Sequence, residues 1–334
     1  MMNLLVTGAL GHIGSGFIHQ IPSKLINRMV LLDNLSTQRY ASLFNLPTDV
    51  RFEFLEEDVC SADLDRYFCG IDVVVHMAAI TDAENSFTIR DRVEATNFEG
   101  TRRVAESCAR CGCRLIFLST TSVYGPQSEV VDEDCPDGDL RPQSPYAETK
   151  LRAERMLQAK GDSGRLRFVT CRFGTIFGPS VGMRFHTAVN KFIWQACTGR
   201  PLTVWSTAMN QKRPYLDLGD ALRALSFILE KDLFDNRVYN VLTTNTTVCE
   251  IVDMISSYVP GTQVEYTRSP IMNHLSYAVS NCRFKDLGFQ FKGSLRRGIG
   301  ETIMLFQRLY GSYTLGSVTE PRAISPPMSV ANPF

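Results

Sequence analysis

Tyr146 and Lys150 are two residues whose types and spacing suit acid–base chemistry. They stand four positions apart in a segment of helical periodicity, so both side chains lie on one face of a helix, one turn apart. A free phenol, with a pKa of about 10, is a poor base at neutral pH, whereas a neighbouring ammonium favours the phenolate. The pair therefore predicts a tyrosine that works as a general base. The same spacing also occurs on solvated helix faces, so the prediction depends on the elements around it.

Two apolar strands that come before this pair end in small or hydroxyl side chains. The run Leu115 to Leu118 predicts a buried strand that ends in Ser119 and Thr120. The run 72–77 predicts another, which ends in Ala78 and Ala79, where small side chains let a ligand lie against the backbone. Both patterns place a ligand at the carboxyl edge of a sheet. His76, inside the second run, is predicted to be a hydrogen-bonded core residue rather than a catalytic one.

A glycine-spaced turn near the start of the chain predicts where a dinucleotide binds. The apolar run 4–6 indicates a strand, and an apolar pattern of helical period follows the turn. Gly8 permits the tight turn, Gly11 lets backbone amides approach a pyrophosphate, and Gly14 lets the helix pack closely on the strand. The spacing is Gly-x-x-Gly-x-x-Gly, and glycine-rich turns of this kind also serve purely backbone purposes.

An acid at the end of the next apolar strand supports the dinucleotide interpretation. Asp33 lies about 20 residues past the glycine turn, where a carboxylate accepts a hydrogen bond from the adenosine ribose. A carboxylate there repels a 2′-phosphate, so NAD is favoured over NADP. Asn34 and Ser36 follow in a polar turn on the ribose side. Asp58 ends the third strand, either as an acceptor for the adenine amine or only as part of an acidic turn.

The order of these elements predicts the fold. Strands alternate with helices up to residue 172, which favours an α/β protein with a Rossmann-type doubly wound parallel sheet and right-handed crossovers. We expect an NAD-binding domain over 1–172, to which segments near 214–241 return. A smaller mixed α/β substrate-binding C-terminal domain is expected over 173–312, and 313–334 is predicted to be a Pro-rich tail. Helices are predicted over 90–110, 185–197, 218–230, 248–258 and 295–309.

The composition excludes several classes of protein. The 334 residues are 44% apolar, and 35 Lys and Arg balance 35 Asp and Glu, so no basic field attracts nucleic acid or an anionic membrane. No apolar run approaches the length of a membrane span, and the first residues lack the basic region of a secretory signal. A soluble cytoplasmic protein is expected. The run Cys108-x-x-Cys111-x-Cys113 lacks a second ligand cluster, so reduced thiols are expected and no metal site.

As a set, these motifs resemble the extended short-chain dehydrogenase/reductases, and within them the NAD-dependent nucleotide-sugar epimerase/dehydratase group. The resemblance covers the chain up to about Leu309. It is carried by Thr7-Gly8-x-x-Gly11-x-x-Gly14, Asp33, Asp58-Val59, His76-x-Ala78-Ala79, Asn97, Ser119-Thr120, Val123-Tyr124-Gly125, Tyr146-x-x-x-Lys150, Arg172, Gly178-Pro179, the run from Lys212 to Asp220, and Tyr239-Asn240-Val241.

The resemblance implies a role for each matching residue. Tyr146 would take the proton from the sugar 4-hydroxyl, Lys150 would hold the nicotinamide ribose and lower the tyrosine pKa, and Thr120 would hydrogen-bond the reacting oxygen. The cofactor-binding residues implied are Gly8, Gly11, His12, Ile13, Gly14, Asp33, Asn34, Ser36, Asp58, Val59, Ala78, Ala79, Asn97, Tyr146, Lys150 and Phe173. The substrate-binding residues implied are Thr81, Thr121, Ser122, Thr175, His186, Asn190, Val204, Trp205, Arg213 and Arg268. Arg213 would pair with the diphosphate of the nucleotide sugar, while His186 and Asn190 either line the sugar pocket or serve only a helix cap and face.

Some positions depart from the pattern of the group, and one departure concerns the reaction. Dehydratases and decarboxylases of this group carry an acid soon after the catalytic threonine, where this chain has Thr121 and Ser122. The absence of that acid favours chemistry confined to C4. Three further departures concern the substrate: Thr175 stands in place of a common Asn, Thr81 in place of the Lys of galactose-type 4-epimerases, and the second diphosphate Arg is absent from 272–277, with Arg268 as a possible substitute.

The sequence therefore predicts a nucleotide-sugar 4-epimerase that acts through a transient 4-keto sugar, in polysaccharide biosynthesis. One alternative is a nucleotide-sugar C4 dehydrogenase or reductase, and a dehydratase is a weaker one. A third hypothesis is an NAD-binding regulatory protein, against which the intact Thr120, Tyr146 and Lys150 argue. By analogy with the group, a homodimer that pairs through helices 90–110 and 146–160 is expected.

Overall fold

The computed structural model describes residues 1–127, 129–267 and 276–306. The strands are β1 (Met2–Thr7), β2 (Ile26–Asp33), β3 (Arg51–Glu56), β4 (Val73–His76), β5 (Arg114–Thr120), β6 (Val130–Val131), β7 (Phe168–Phe173), β8 (Thr175–Phe177), β9 (Leu202–Trp205), β10 (Lys212–Asp217), β11 (Val238–Val241), β12 (Thr244–Thr247), β13 (Val264–Thr267) and β14 (Ala278–Val279). The α-helices are α1 (His12–Gln20), α2 (Leu64–Phe68), α3 (Arg90–Val93), α4 (Gly100–Cys111), α5 (Pro145–Asp162), α6 (Ala188–Cys197), α7 (Leu218–Glu230), α8 (Val248–Tyr258), α9 (Cys282–Asp286) and α10 (Leu295–Phe306).

Seven parallel strands form the central sheet, in the order β3-β2-β1-β4-β5-β7-β11. The chain runs outward from β1 to β3 on one side and from β4 to β11 on the other. The connections therefore diverge between β1 and β4, which opens a crevice at the carboxyl ends of these strands. The predicted Rossmann-type doubly wound parallel sheet is confirmed.

Alternation along the strands separates two cores, one on each face of the sheet. Leu4 and Val6 of β1 join a buried cluster that also contains Phe17 of α1 and Leu225 of α7. Leu5, between them, points to the opposite face and joins a cluster with residues of α2, α4 and α5. Successive side chains of a strand point to opposite faces, so an apolar run with no polar gap is what a sheet covered on both sides requires.

The second half of the chain adds three small sheets and a third core. β8 pairs in parallel with β10, which pairs antiparallel with β12. β9 pairs with β13, and β6 pairs with β14. α6, α8 and α10 enclose an apolar cluster that includes Ile193, Ile251 and Ile299, all without solvent exposure. This part of the chain carries one wall of the cavity described below.

The observed helices differ from the predicted ones mainly where tertiary contacts act. One helix is predicted over 90–110. The structure has a continuous helical segment there, in which a π-helical turn, Glu94–Glu99, joins α3 to α4. The helix predicted from residue 185 begins at Ala188. Helices 218–230 and 248–258 have their predicted bounds. The predicted tail 313–334 and the end of the last predicted helix lie outside the described residues.

Among the residues that the structure describes, no helix has the length and apolar character needed to cross a bilayer.

Candidate active site

A cavity of about 790 Å³ opens at the carboxyl ends of the central strands and extends under the loops of the second half. It lies in the crevice where the sheet connections diverge, the usual ligand position of this fold. The predicted site residues that line it are Gly8, Gly11, His12, Ile13, Gly14, Asp33, Asn34, Ser36, Asp58, Val59, Ala78, Ala79, Thr81, Thr120, Ser122, Tyr146, Lys150, Phe173, Thr175, His186, Val204, Trp205 and Arg213.

Three predicted site residues lie behind the cavity wall instead. Asn97 is fully buried in the π-helical turn, where its amide accepts from the Ile80 N–H (2.8 Å) and donates to the Ile80 carbonyl (2.9 Å). The Thr121 hydroxyl donates to the Phe173 carbonyl at 3.3 Å. The Asn190 amide donates to the Arg184 carbonyl at 3.0 Å. These side chains bind backbone segments of the wall, and the ligand contacts implied for them stay predictions. Arg268 lies outside the described residues.

The glycine turn between β1 and α1 is packed so closely that side chains do not fit. Gly8 has φ +66°, and a Cβ there would lie 2.6 Å from the Ala78 nitrogen. A Cβ on Gly14 would lie 2.5 Å from the Ala9 carbonyl oxygen. Only glycine meets both demands, a left-handed conformation at one position and backbone contact at the other. The turn thus brings the N-terminus of α1 to the cavity wall.

The donors and acceptors on this wall fit a dinucleotide. The His12 and Ile13 amides belong to the first turn of α1, whose N–H groups carry partial positive charge and suit a diphosphate. Asp33 ends β2, and its carboxylate accepts from the backbone N–H groups of Leu10 (3.0 Å) and Leu35 (2.9 Å). Those bonds hold the carboxylate at the cavity edge, where a ribose hydroxyl can donate to its remaining lone pairs.

His12 connects the dinucleotide wall to the second half of the chain. Its Nε2 lies 2.8 Å from the Gly178 carbonyl oxygen. Burial lowers the His12 pKa to about 4, so the ring is neutral at physiological pH. Since a carbonyl only accepts, Nε2 carries the proton and donates it.

The start of α5 places Tyr146 against the end of β5. The Ser144 hydroxyl caps the helix by accepting from the Ala147 N–H at 3.2 Å, and Pro145 occupies the first helical position. Tyr146 is therefore the second helical residue and lies with Thr120 on the cavity wall. Burial raises the Tyr146 pKa to about 12, although Thr120 and the positive charge of Arg184 both act to lower it. In the ligand-free chain the phenol is protonated at neutral pH.

Lys150 lies one turn further along α5, on the same cavity wall. Its Nζ donates to the Leu118 carbonyl at 2.7 Å and lies 4.7 Å from the centre of the Phe117 ring. Burial lowers the Lys150 pKa to about 7, and the charge of Glu154 opposes that shift. The amine is thus only partly charged at neutral pH. Burial has the largest influence on the pKa of both residues, and the effect of Lys150 on the tyrosine pKa stays a prediction.

A buried ion pair supports Lys150 from behind. Arg172 on β7 donates to Glu154 on α5 at 2.7 Å, and both side chains are 5% exposed. The Glu154 carboxylate also accepts from the Ser119 hydroxyl of β5. The Arg172 guanidinium lies 4.8 Å from the centre of the Tyr124 ring. These contacts join α5 to two strands of the sheet and so fix the position of this helix.

His76 is the core histidine that the apolar strand predicted. It has no solvent exposure, and its nitrogens lie 2.7 Å from Thr7 Oγ1 and 2.9 Å from Thr101 Oγ1. Burial lowers its pKa to about 3, so the ring stays neutral. His76 therefore connects β1, β4 and α4 behind the cavity.

Two arginines bring positive charge to the cavity. Arg213, on β10, donates to Gln211 Oε1 at 3.1 Å. Arg184, which sequence reasoning missed, donates through Nη1 to Thr81 Oγ1 at 2.6 Å. Its segment between β8 and α6 is irregular, and the sequence prediction selected only His186 from it as a binding residue. The sequence signal for it was Thr81, which stands where galactose-type 4-epimerases have a lysine. In this chain Arg184, from another segment, brings a positive charge to that position.

Comparisons with known proteins identify the family. The profile of the NAD dependent epimerase/dehydratase family matches residues 4–241. A trifunctional UDP-glucose 4,6-dehydratase/UDP-4-keto-6-deoxy-D-glucose 3,5-epimerase/UDP-4-keto-L-rhamnose-reductase of Arabidopsis thaliana is 30% identical over 318 residues, which cover 90% of this chain and 46% of that protein. The chain thus spans about half the length of this relative. An uncharacterized UDP-glucose epimerase of Bacillus subtilis is 29% identical over 249 residues, 72% of this chain and 76% of that protein.

Solved structures show the same fold with ligands bound. The UDP-glucuronic acid 4-epimerase of Bacillus cereus, in complex with UDP-glucuronic acid and NAD, superposes with a TM-score of 0.82 at 25% identity, covering 92% of this chain and 100% of that chain. The UDP-glucose 4-epimerase of Thermus thermophilus, in complex with NAD, superposes with a TM-score of 0.78 at 26% identity, covering 92% and 99%. The family resemblance predicted from the motifs is confirmed.

Proposed function

The chain belongs to the NAD dependent epimerase/dehydratase family, whose cofactor is NAD, and on that basis we propose that it is a nucleotide-sugar 4-epimerase. The observation that carries the proposal is the chemistry at the carboxyl end of β5. Thr120 and Ser122 face the cavity there, opposite Tyr146, and the short helical turn Thr121–Val123 contains no acid. Elimination of water at C5 and C6 needs a carboxyl group at such a place, so this site supports chemistry at C4 alone.

When bound, NAD supplies the redox chemistry: it takes a hydride from C4 of the sugar and later returns one. The side chains of this protein handle the proton and the orientation. Tyr146 accepts the proton of the 4-hydroxyl and gives it back when the 4-keto oxygen becomes a hydroxyl again, so no net proton is consumed. Thr120 holds the reacting oxygen. The Tyr146 pKa must fall for this step, and Thr120 and Arg184 already act in that direction.

The rest of the cavity suits the nucleotide sugar. Arg213 is proposed to bind the diphosphate, because its forked guanidinium pairs with phosphate oxygens in a bidentate manner. Val204 and Trp205 form the proposed base pocket at the far end, while Thr81, Thr175 and His186 line the sugar region between them. Relatives crystallised with UDP sugars make UDP the proposed nucleotide. The cavity of about 790 Å³ includes both the dinucleotide wall and this sugar region.

The test uses the protein with NAD bound, incubated separately with UDP-glucose and UDP-glucuronic acid. We expect the C4 epimer of at least one sugar in the NMR spectrum, with no net reduced nicotinamide. Accumulating reduced nicotinamide would instead identify a C4 dehydrogenase. A 4-keto-6-deoxy product would identify a dehydratase. This outcome is tested because the chain is 30% identical to an Arabidopsis protein with 4,6-dehydratase activity in its name. Binding of NAD without turnover of any nucleotide sugar would favour a regulatory protein.

We also propose a cytoplasmic homodimer acting in polysaccharide biosynthesis, with the domain division at residue 172. The proposed dimer contact uses the α3 to α4 run and α5. These helices already bind each other within one chain, through Arg90 with Glu148 (2.5 Å) and Arg152 with Glu94 (2.8 Å). Light scattering of the purified protein tests the dimer, and reversing the charge of an exposed residue on α5 should weaken it.

A further inference from the structure

Four cysteines come together where two helices end, at the amino edge of the central sheet. Cys69 directly follows α2, and Cys111 is the last residue of α4. Cys108 lies one turn earlier in α4, and Cys113 directly precedes β5. Because β4 and β5 begin beside these thiols, the cluster lies at the opposite edge of the sheet from the cavity. The four thiols have no part in the proposed function.

Two thiols from the end of α4 contact the backbone beside Cys69. The Cys111 sulfur lies 3.8 Å from the Asp65 carbonyl oxygen, and the same oxygen accepts from the Cys69 N–H at 3.3 Å. The Cys113 sulfur lies 3.5 Å from the carbonyl oxygen of Phe68, which belongs to the peptide group that precedes Cys69. The end of α4 therefore brings sulfur atoms to within about one side-chain length of the exposed cysteine.

Polar side chains hold the two helix ends together. Arg110 of α4 donates to both carboxylate oxygens of Asp65 in α2, at 2.7 and 2.8 Å. The Ser107 hydroxyl of α4 donates to the same carboxylate. Thiols on segments that are already joined in this way lose less conformational freedom when a bond forms between them than thiols on separate mobile segments.

Solvent access separates the four thiols into two pairs. Cys69 is exposed and Cys111 is partly exposed, whereas Cys108 and Cys113 are buried. Burial raises the pKa of Cys111 to about 11, so this residue is a protonated thiol at neutral pH. Among the described residues, no group of three or more His, Cys, Asp and Glu side chains is arranged to hold a metal ion. A small oxidant in solution thus reaches Cys69 first, and Cys111 is the accessible thiol beside it.

We propose that Cys69 and Cys111 are a redox-modification site, which forms a reversible disulfide on reaction with a small disulfide such as glutathione disulfide. The Cys69 thiolate attacks a sulfur of glutathione disulfide, whose S–S bond breaks and releases one glutathione. The Cys111 sulfur then attacks this mixed disulfide at Cys69, forms the protein disulfide and releases the second glutathione. The two cysteines lose two protons and two electrons, which convert one glutathione disulfide into two glutathione molecules. An exposed disulfide of this kind is readily reduced again.

The test uses the full chain with NAD bound, incubated with glutathione disulfide, digested and analysed by mass spectrometry. We expect one pair of peptides linked through Cys69 and Cys111, which dithiothreitol separates. Cys111→Ser should stop at the mixed disulfide and retain one glutathione on Cys69, whereas Cys69→Ser should form neither product at Cys111. Cys282→Ser, which removes an exposed cysteine of α9, is the matched control and should form the link as the wild type does.

Oxidation should also raise thermal stability. The disulfide closes the chain between residues 69 and 111, which restricts the unfolded chain, so we expect the midpoint of thermal unfolding to rise by about 5 °C. Cys111→Ser, treated in the same way, should show no such rise. The NAD content should stay at the wild-type level, because the cavity lies at the other edge of the sheet.

Other outcomes overturn the proposal. A wild-type digest without the linked peptides would show that the two sulfur atoms do not meet. A link between Cys108 and Cys113 in its place would assign the oxidation to the buried pair. A link between two chains, visible as a band of twice the mass on a non-reducing gel, would contradict a disulfide within one chain. Because none of these readouts depends on turnover of a sugar, failure of the proposed function would leave the result of this test unchanged.

Discussion

The two walls of the cavity are built in different ways. The cofactor wall consists mainly of backbone groups. They are the amides of α1, the backbone of Gly8 close to Ala78, and two N–H groups that hold the Asp33 carboxylate. On the sugar wall, long side chains from separate loops and strands converge, above all Arg184 and Arg213. Backbone geometry leaves a spacing of glycines in the sequence, whereas converging side chains leave no pattern. Residue spacing therefore predicted the cofactor wall directly, whereas Arg213 was predicted only from the family resemblance and Arg184 was not predicted.

Replacing the residue that serves both walls should have the largest effect. Tyr146→Phe removes the hydroxyl that accepts and returns the proton, so we expect turnover to fall by about three orders of magnitude or more. The ring still fills its space beside Thr120, so the NAD content of the purified protein should stay at the wild-type level. Turnover close to wild type would show that another group is the base.

A substitution on the cofactor wall tests whether its backbone packing matters. Gly14→Ala places a Cβ 2.5 Å from the Ala9 carbonyl oxygen, and the turn must shift. We expect a stability loss of about 1–3 kcal/mol and a clear fall in bound NAD. Thermal unfolding and NAD content measure these effects. Gly138→Ala is the control, because no atom lies within 4 Å of the Cβ that it adds.

A substitution on the sugar wall should affect the substrate and leave the cofactor bound. Arg213→Met removes the proposed diphosphate contact, so we expect KM for the nucleotide sugar to rise about tenfold. The amount of bound NAD should not change. Lys212→Met, at the exposed neighbouring position, provides the control and should leave KM as it is. A loss of NAD in Arg213→Met would contradict the division between the two walls.

A further expected effect, which concerns stability alone, depends on pH and on the rear of the cofactor wall. His76 binds no proton in the folded chain until the pH falls to about 3, whereas in the unfolded chain its pKa is near the ordinary value of 6.5. The contribution of neutral His76 to the free energy of unfolding is therefore complete above pH 6.5 and is lost progressively as the pH falls toward about 3. One such group adds a slope of about 1.4 kcal/mol per pH unit to the free energy of unfolding. Denaturant titrations should show a shallower slope in His76→Gln, and an unchanged slope would refute this account.

Local signals predicted the helices that depend on local contacts. Asp217 caps α7 by accepting from the Asp220 N–H, and Thr247 and Glu250 form a capping box at the start of α8. Both helices have their predicted bounds. The π-helical turn was not predicted, because it depends on the contact of Asn97 with Ile80, 17 residues earlier in the chain. Arg184 was missed for the same reason, since contacts with α1 and α6 place it.

Gly182 sets a limit for any redesign of this protein. A Cβ there would lie 2.5 Å from the Leu10 carbonyl oxygen and 2.6 Å from that of Gly11. Mutant libraries designed for a new sugar can vary positions 183–190. Even an alanine at position 182 would clash with the glycine turn between β1 and α1. Within this segment, selectivity can thus be retuned independently of dinucleotide affinity only downstream of that glycine.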